Sequence, residues 1–197
     1  MQPKHEYIYA ITETFGPTTP NWQEYKVWIQ LKQLEEVVSL DPMLCPSLIL
    51  DNSTDPEFWE SVFTDGQLMT DLHRSLEYAI GHIGPEFKGL CNVICAIQNP
   101  IAACPQKIEN DFILVGYDLL DRDYGASALS NCGGFYDIYS PSDVNRYGLI
   151  TDFNLATRVQ MELRTAYPEE HHADCHLWAL YRQHNKAVSV EALNQSL

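Results

Sequence analysis

Apolar and polar residues alternate twice near the N-terminus of the chain. Residues 5–12 place tyrosines and an isoleucine at every second position, which is typical of a strand. Residues 24–32 repeat that alternation, and the Gly- and Pro-containing segment 16–20 between them favours a turn. The pattern therefore predicts an N-terminal hairpin.

Farther along, apolar residues recur at spacings of three and four, which indicates amphipathic helices. The two longest such stretches are residues 65–83 and 152–166. A shorter stretch, residues 31–38, also fits a helix, and Asp55-Pro56 has the residue types that begin one. The sequence thus predicts two long helices and two short ones.

Short apolar runs predict buried strands at residues 90–97, 112–119 and 175–181, with a further candidate at 47–50. Strands and helices follow one another without regular alternation. This order predicts an α+β fold, with a mostly antiparallel (mixed) sheet of about five strands and helices packed on one face. No shift in composition marks a boundary, so residues 1–197 are expected to form one globular domain, with 185–197 as a frayed tail.

The charge of the chain is strongly one-sided, with 27 acidic and 12 basic residues and a net charge of −15. Such a surface repels phosphate backbones and anionic membranes, so nucleic-acid and membrane binding are not expected. The N-terminus resembles no signal peptide, and six cysteines without an export signal favour reduced thiols in a cytoplasmic protein. A basic protein is the partner that this charge predicts.

Acidic and aromatic residues are interspersed in the segment 121–147, which is long for a simple connection. Tyrosines are enriched in binding hot spots, and carboxylates attract basic partners. We therefore expect a protein-binding surface here, although the same residues would also suit a loop with packed tyrosines and solvated acids. The candidate binding residues are Asp121, Asp123, Tyr124, Phe135, Tyr136, Asp137 and Tyr139.

A thiol-dependent active site is the alternative. Cys132 precedes two glycines that could let a substrate approach backbone amides, and His171, His172 and Asp174 follow in an order that a Cys-His-Asp hydrolase or transferase permits. In this hypothesis Cys132 is the nucleophile, a histidine is the base, and Asp174 orients the base. A tight turn around a buried small thiol explains the same residues without catalysis.

His172, Asp174 and His176 raise the question of a metal, because zinc binds imidazole and carboxylate groups. The chain shows no matching second pair of ligands at suitable spacing, since Cys91 and Cys95 lie in an apolar strand. The sequence therefore predicts a protein without a metal or another cofactor.

The chain contains none of the common catalytic motifs, including the phosphate-binding loop, the dinucleotide glycine pattern, the Gly-x-Ser-x-Gly elbow and His-Glu-x-x-His. Together with the charge, this favours a non-catalytic acidic protein-binding module. An adaptor, an inhibitor or an immunity-type protein for a basic partner is the expected class.

Overall fold

The fold is described from a computed structural model of the chain. The model describes residues 6–20, 22–41, 72–81, 83, 89–122, 125–131, 135–183 and 187–194. Its strands are β1 Ile8–Glu13, β2 Leu90–Gln98, β3 Phe112–Leu120, β4 His176–Gln183 and β5 Val188–Ser189. Its α-helices are α1 Trp22–Ile29, α2 Leu76–Gly81, α3 Phe153–Ala166 and α4 Val190–Asn194. Two short 3₁₀ helices span Pro141–Asp143 and His171–Asp174.

The five strands form one antiparallel sheet. The order is β1-β2-β4-β3, and β5 pairs with the beginning of β2. In this register Leu120, the last residue of β3, lies opposite His176, the first residue of β4. The α+β prediction with a five-stranded, mostly antiparallel sheet is confirmed.

The sheet separates two apolar cores. Alternate residues of β2 face opposite sides, with Val93 and Cys95 in one core and Ile94 and Ala96 in the other. The larger core holds the buried side chains of α1, α2 and α3, so these helices pack on one face as predicted. The other core is closed by non-helical residues, among them Val38, Leu40, Tyr147 and Leu149.

A bulge in β3 sets the orientation of the residues that follow it. The register with β4 shifts between Leu114 and Gly116. Gly116 has φ +149°, and a Cβ there would lie 2.6 Å from the Leu149 Cβ, so no larger residue fits. After the bulge, Tyr117 and Leu119 face the helix-covered core. Asp118 instead hydrogen-bonds Ser39, close to the residues that close the second core.

The predicted second strand at residues 24–32 is wrong, because α1 occupies most of this segment. The helical spacing of Trp22, Tyr25 and Ile29 buries all three on one side, whereas Val27 is 79% exposed. The two-residue period of a strand and the 3.6-residue period of a helix both fit the local sequence. The helix is the form that buries two aromatic residues, Trp22 and Tyr25, together with Ile29. Residues 31–38 are not helical either, although Leu31, Leu34 and Val38 are buried as a helix face would require.

The other predicted elements have clearer outcomes. Strands at 5–12, 90–97, 112–119 and 175–181 correspond to β1, β2, β3 and β4 within a few residues. The helix at 152–166 is confirmed as α3, where the Asp152 side chain caps the helix by accepting from the Leu155 amide at 2.7 Å.

Two predicted elements lie outside the described residues, the strand at 47–50 and the first turn of the helix beginning at Asp55. Of the helix predicted at 65–83, the structure describes residues 72–81 and 83, and only α2, Leu76–Gly81, is helical. Residues 72–75 are not helical, because His73 pairs instead with Tyr9 of β1. Within the described part of the chain, no helix has the length and apolar character needed to cross a bilayer.

Candidate functional site

Polar and charged side chains converge where β3 ends and β4 begins. Asp118, in β3, is fully buried, and each of its carboxylate oxygens accepts hydrogen bonds. Oδ1 accepts from the Ser127 hydroxyl at 2.6 Å and from the Leu119 amide at 2.8 Å, while Oδ2 accepts from the Ser39 hydroxyl at 2.5 Å. Burial raises the pKa of Asp118, and these hydrogen bonds partly oppose the shift.

Two more buried carboxylates hold the same loop. Asp41 Oδ2 accepts from the Ser127 amide at 2.7 Å and from Asn131 Nδ2 at 2.9 Å. Asp121 Oδ2 accepts from the Ala126 amide at 2.9 Å. We call Asp41, Asp118 and Asp121, with their hydroxyl and amide donors, the buried carboxylate network. It ties residues 125–131 to the end of the sheet.

The 3₁₀ helix His171–Asp174 lies against this network. His172 is only 1% exposed, and its ring packs against Phe135 with centroids 5.6 Å apart. Burial, and secondarily the neighbouring His171, lowers the pKa of His172 to about 3. A hydrogen bond to the Ala126 backbone carbonyl opposes that shift. The imidazole of His172 is therefore neutral at physiological pH.

Asp121, His171 and His172 form a group of three potential metal ligands in the described part of the chain. One ligand atom from each lies within 4.8 Å of the others. Asp121 is 3% exposed and His171 is exposed, so the group extends from the interior to the surface. This group shares His172 with the set that the sequence suggested, and it has Asp121 and His171 in place of Asp174 and His176.

The other two residues of that suggested set have different partners. The Asp174 carboxylate forms ion pairs with Arg122 at 3.1 Å and with Arg164 at 3.5 Å. His176 Nδ1 is hydrogen-bonded to Asn99 Nδ2 at 2.9 Å. The Asp174 carboxylate thus faces two guanidinium groups. Of the predicted catalytic residues, His171 and His172 lie side by side with ring centroids 4.1 Å apart, and Cys132 lies outside the described residues.

The predicted binding residues are dispersed. Asp121 belongs to the buried network, and Tyr139 is 2% exposed in the larger core. The Tyr136 hydroxyl donates to the Ile29 carbonyl at the end of α1. Asp123 and Tyr124 lie outside the described residues. Asp121 and Tyr139 are therefore in the interior. Asp137 is exposed and Phe135 is half-buried beside it, so these two border the protein surface.

That surface lies at the end of α3. The Tyr167 hydroxyl donates to Asp137 Oδ2 at 2.5 Å, and the Tyr167 ring packs on Phe135 with centroids 5.0 Å apart. The hydrogen bond to Asp137 is the main cause that raises the pKa of Tyr167, and the charges of Asp137 and Glu170 act in the same direction. We call the residues Asp137, Tyr167, Glu169 and Glu170 the acidic corner.

Most of the basic side chains that the structure describes form ion pairs with acidic residues of the same chain. Of the nine lysines and arginines that the structure describes, seven form ion pairs. They are Arg74, Lys107, Arg122, Arg146, Arg158, Arg164 and Arg182. The surplus negative charge therefore remains on exposed carboxylates such as those of Glu169 and Glu170.

A small cavity of about 80 Å³ lies beside the buried network. Asp121 and Arg122 line it on one side, and Trp178 and Leu120 contribute apolar walls. It has room for a few water molecules, and Asp121 connects it to the histidine pair.

Comparisons with protein-family models, with curated proteins and with solved structures found no significant match. Sequence reasoning missed Ser39, Asp41 and Ser127 because their partners are distant in the chain. The sequence prediction also passed over Tyr167, although a tyrosine followed by Glu169 and Glu170 was a visible signal of an acidic aromatic surface.

Proposed function

We propose that this chain is a non-catalytic acidic protein that binds a basic protein partner through the acidic corner. An adaptor, an inhibitor or an immunity-type protein would act in this way. The observation that carries the proposal is the half-buried ring of Tyr167, whose hydroxyl donates to the exposed Asp137 and whose pKa the charge of Glu170 also raises. A packed tyrosine beside exposed carboxylates offers both an apolar contact and attraction for lysine or arginine.

The ion-pair pattern supports the same function. Because seven described cations are already paired within the chain, a basic partner meets surplus carboxylates with little competition from the protein's own lysines and arginines. Surface charge of one sign raises the rate of encounter with a partner of the opposite sign, and salt weakens this attraction. Binding should therefore fall as ionic strength rises.

The acidic corner is rigid enough to present its groups in a fixed arrangement. Tyr167 caps α3, where its amide donates to the Leu163 carbonyl at 3.0 Å. The next turn is closed by the Glu170 amide, which donates to the Tyr167 carbonyl at 3.0 Å. A preformed surface loses less conformational entropy on binding than a flexible one does.

Capture experiments with matched variants test this function. The wild type, the corner variant D137N/E170Q and the control E13Q/E109Q would be immobilised and exposed to native lysate at low and high salt. Both variants remove two negative charges. Glu13 and Glu109 lie at the opposite end of the sheet from His176, since Glu13 pairs with Cys91 and Glu109 precedes β3.

We expect the wild type and the E13Q/E109Q control to capture a basic protein at low salt. Neither should retain it at high salt, and D137N/E170Q should not capture it in either buffer. Equal capture by all three proteins would refute a role for the corner. Equal loss in both variants would show that only net charge matters, which also contradicts the proposal.

A further inference from the structure

We propose that Asp121, His171 and His172 form a binding site for one Zn²⁺ ion. The three potential ligand atoms lie within 4.8 Å of one another. Zinc held at its usual bond lengths by tetrahedral ligands requires separations of about 3.4 Å. Side-chain rotations that move each ligand atom by roughly an ångström would therefore complete the site.

The backbone brings these residues together without the metal. Asp121 directly follows β3, and the 3₁₀ helix that carries both histidines ends just before β4. β3 and β4 are neighbours whose register places Leu120 opposite His176. Ligands that lie next to the ends of two adjacent, hydrogen-bonded strands are brought together before an ion arrives, which favours binding.

Ala126 supplies contacts that orient two of the ligands. Its amide donates to Asp121 Oδ2 at 2.9 Å, and its carbonyl is hydrogen-bonded by the His172 ring. Histidines that bind metals commonly donate their second ring N–H to a backbone carbonyl or a carboxylate, which fixes the ring and leaves the other nitrogen for the metal. The His172 ring is held in this way.

The ligand chemistry selects the metal. Two imidazoles and one carboxylate suit zinc and similar transition ions, whereas calcium and magnesium prefer oxygen ligands alone. Three protein ligands leave a fourth position for water or a small anion.

Zinc titration of protein purified without a metal-affinity tag and stripped with a chelator tests this site. Competition with a chromophoric chelator would report stoichiometry and affinity. We expect one Zn²⁺ per wild-type chain, and a loss of about 100-fold or more in affinity for H171A and for D121N. His171 is exposed, and Asn at position 121 keeps an oxygen that can accept from the Ala126 amide, so both variants should fold.

His176 provides the matched control, because it is a histidine four residues after His172 and its Nδ1 is hydrogen-bonded to Asn99 Nδ2. H176Q should bind zinc as the wild type does. Failure of the wild type to bind, or equal affinity in H171A, D121N and H176Q, would overturn the proposal. With Co²⁺ in place of zinc, a thiolate-to-cobalt charge-transfer band would show cysteine ligation and would also overturn it. The capture experiment does not depend on this result.

Discussion

Acidic residues serve two different purposes in two regions of this protein. In the buried carboxylate network, Asp41, Asp118 and Asp121 accept hydrogen bonds from hydroxyls and amides and hold residues 125–131 against the sheet. In the acidic corner, Glu169 and Glu170 are exposed, and Asp137 accepts a single hydroxyl from Tyr167. The same functional group is buried and hydrogen-bonded within the fold in one region and exposed at the surface in the other.

The comparison shows why a net charge of −15 has no single meaning. A buried carboxylate loses its hydration, and only compensating donors make its burial tolerable. An exposed carboxylate keeps its hydration and contributes little to stability. Substitutions in the two regions should therefore separate effects on folding from effects on binding.

The largest expected effect is on the alkylation rate of a buried cysteine, compared between the native and the unfolded protein. Burial raises the pKa of Cys175, beside the buried network, from 9.0 to about 12. The thiolate fraction near pH 8 then falls about 1,000-fold relative to an unperturbed cysteine. Mass-resolved alkylation of the native protein should label Cys175 at least that much more slowly than in urea, whereas comparable rates would show that the site opens readily.

The same alkylation experiment tests the thiol-enzyme alternative. Cys175 and Cys95, whose pKa burial also raises to about 12, serve as slow references. A catalytic Cys132 would react well before every other cysteine near neutral pH. A non-catalytic binding protein predicts no such exceptional reactivity, and finding it would favour the hydrolase or transferase hypothesis.

Removal of the Asp118 carboxylate should produce the largest loss of stability among the acidic residues. D118A leaves the Ser39 and Ser127 hydroxyls without their acceptor, and the expected loss in the free energy of unfolding is about 3 kcal/mol. D118N keeps the shape and one acceptor oxygen and should lose less. Urea denaturation measures both, and a D118A protein as stable as the wild type would contradict the structural role of the network.

Asn92 sharpens the comparison, because it is a buried polar residue without compensation. Both polar atoms of its side chain lack a hydrogen-bond partner among the described residues. N92V replaces the unpaired amide with an apolar side chain that favours a strand. We therefore expect the free energy of unfolding, measured by urea denaturation, to rise by about 1 kcal/mol. A loss of stability would indicate that the Asn92 amide has a partner in the folded chain.

The acidic corner should show the smallest effect on stability. D137N/E170Q removes two exposed negative charges, one of them on the carboxylate that accepts from the Tyr167 hydroxyl. We expect the free energy of unfolding to change by no more than about 0.5 kcal/mol. Thermal melting beside the E13Q/E109Q control checks this expectation. A change in melting temperature much larger than that of the control would mean that the acidic corner contributes to the stability of the fold.

Sequence patterns predicted the parts of the fold whose signal is local. The apolar runs of β2, β3 and β4 and the helical stripe of α3 lie within single elements, so periodicity located them. The strand predicted where α1 lies was wrong because Tyr25 and Ile29 satisfy both a strand pattern and a helix pattern. Contact with distant residues decides between the two. The Tyr25 hydroxyl, for example, donates to the Ser130 carbonyl at 2.7 Å.

The candidate sites were harder to predict, because sequence distance conceals their members. His171 and His172 stood out as a local cluster, but Asp121 joins them only through the pairing of β3 with β4. For this reason the sequence indicated a metal-free protein, whereas the fold brings Asp121 within 4.8 Å of both histidines. Asp174 looked like a partner for a histidine, yet in the fold its carboxylate forms ion pairs with Arg122 and Arg164.

Hydrogen–deuterium exchange of the protein with and without its captured partner tests the central claim most directly. If the acidic corner is the contact surface, backbone amides in residues 135–139 and 167–170 should become protected, while those around Glu13 and Glu109 stay unchanged. High salt should remove the protection by weakening the attraction between the charges. Protection confined to other segments, or protection that D137N/E170Q leaves intact, would contradict the account.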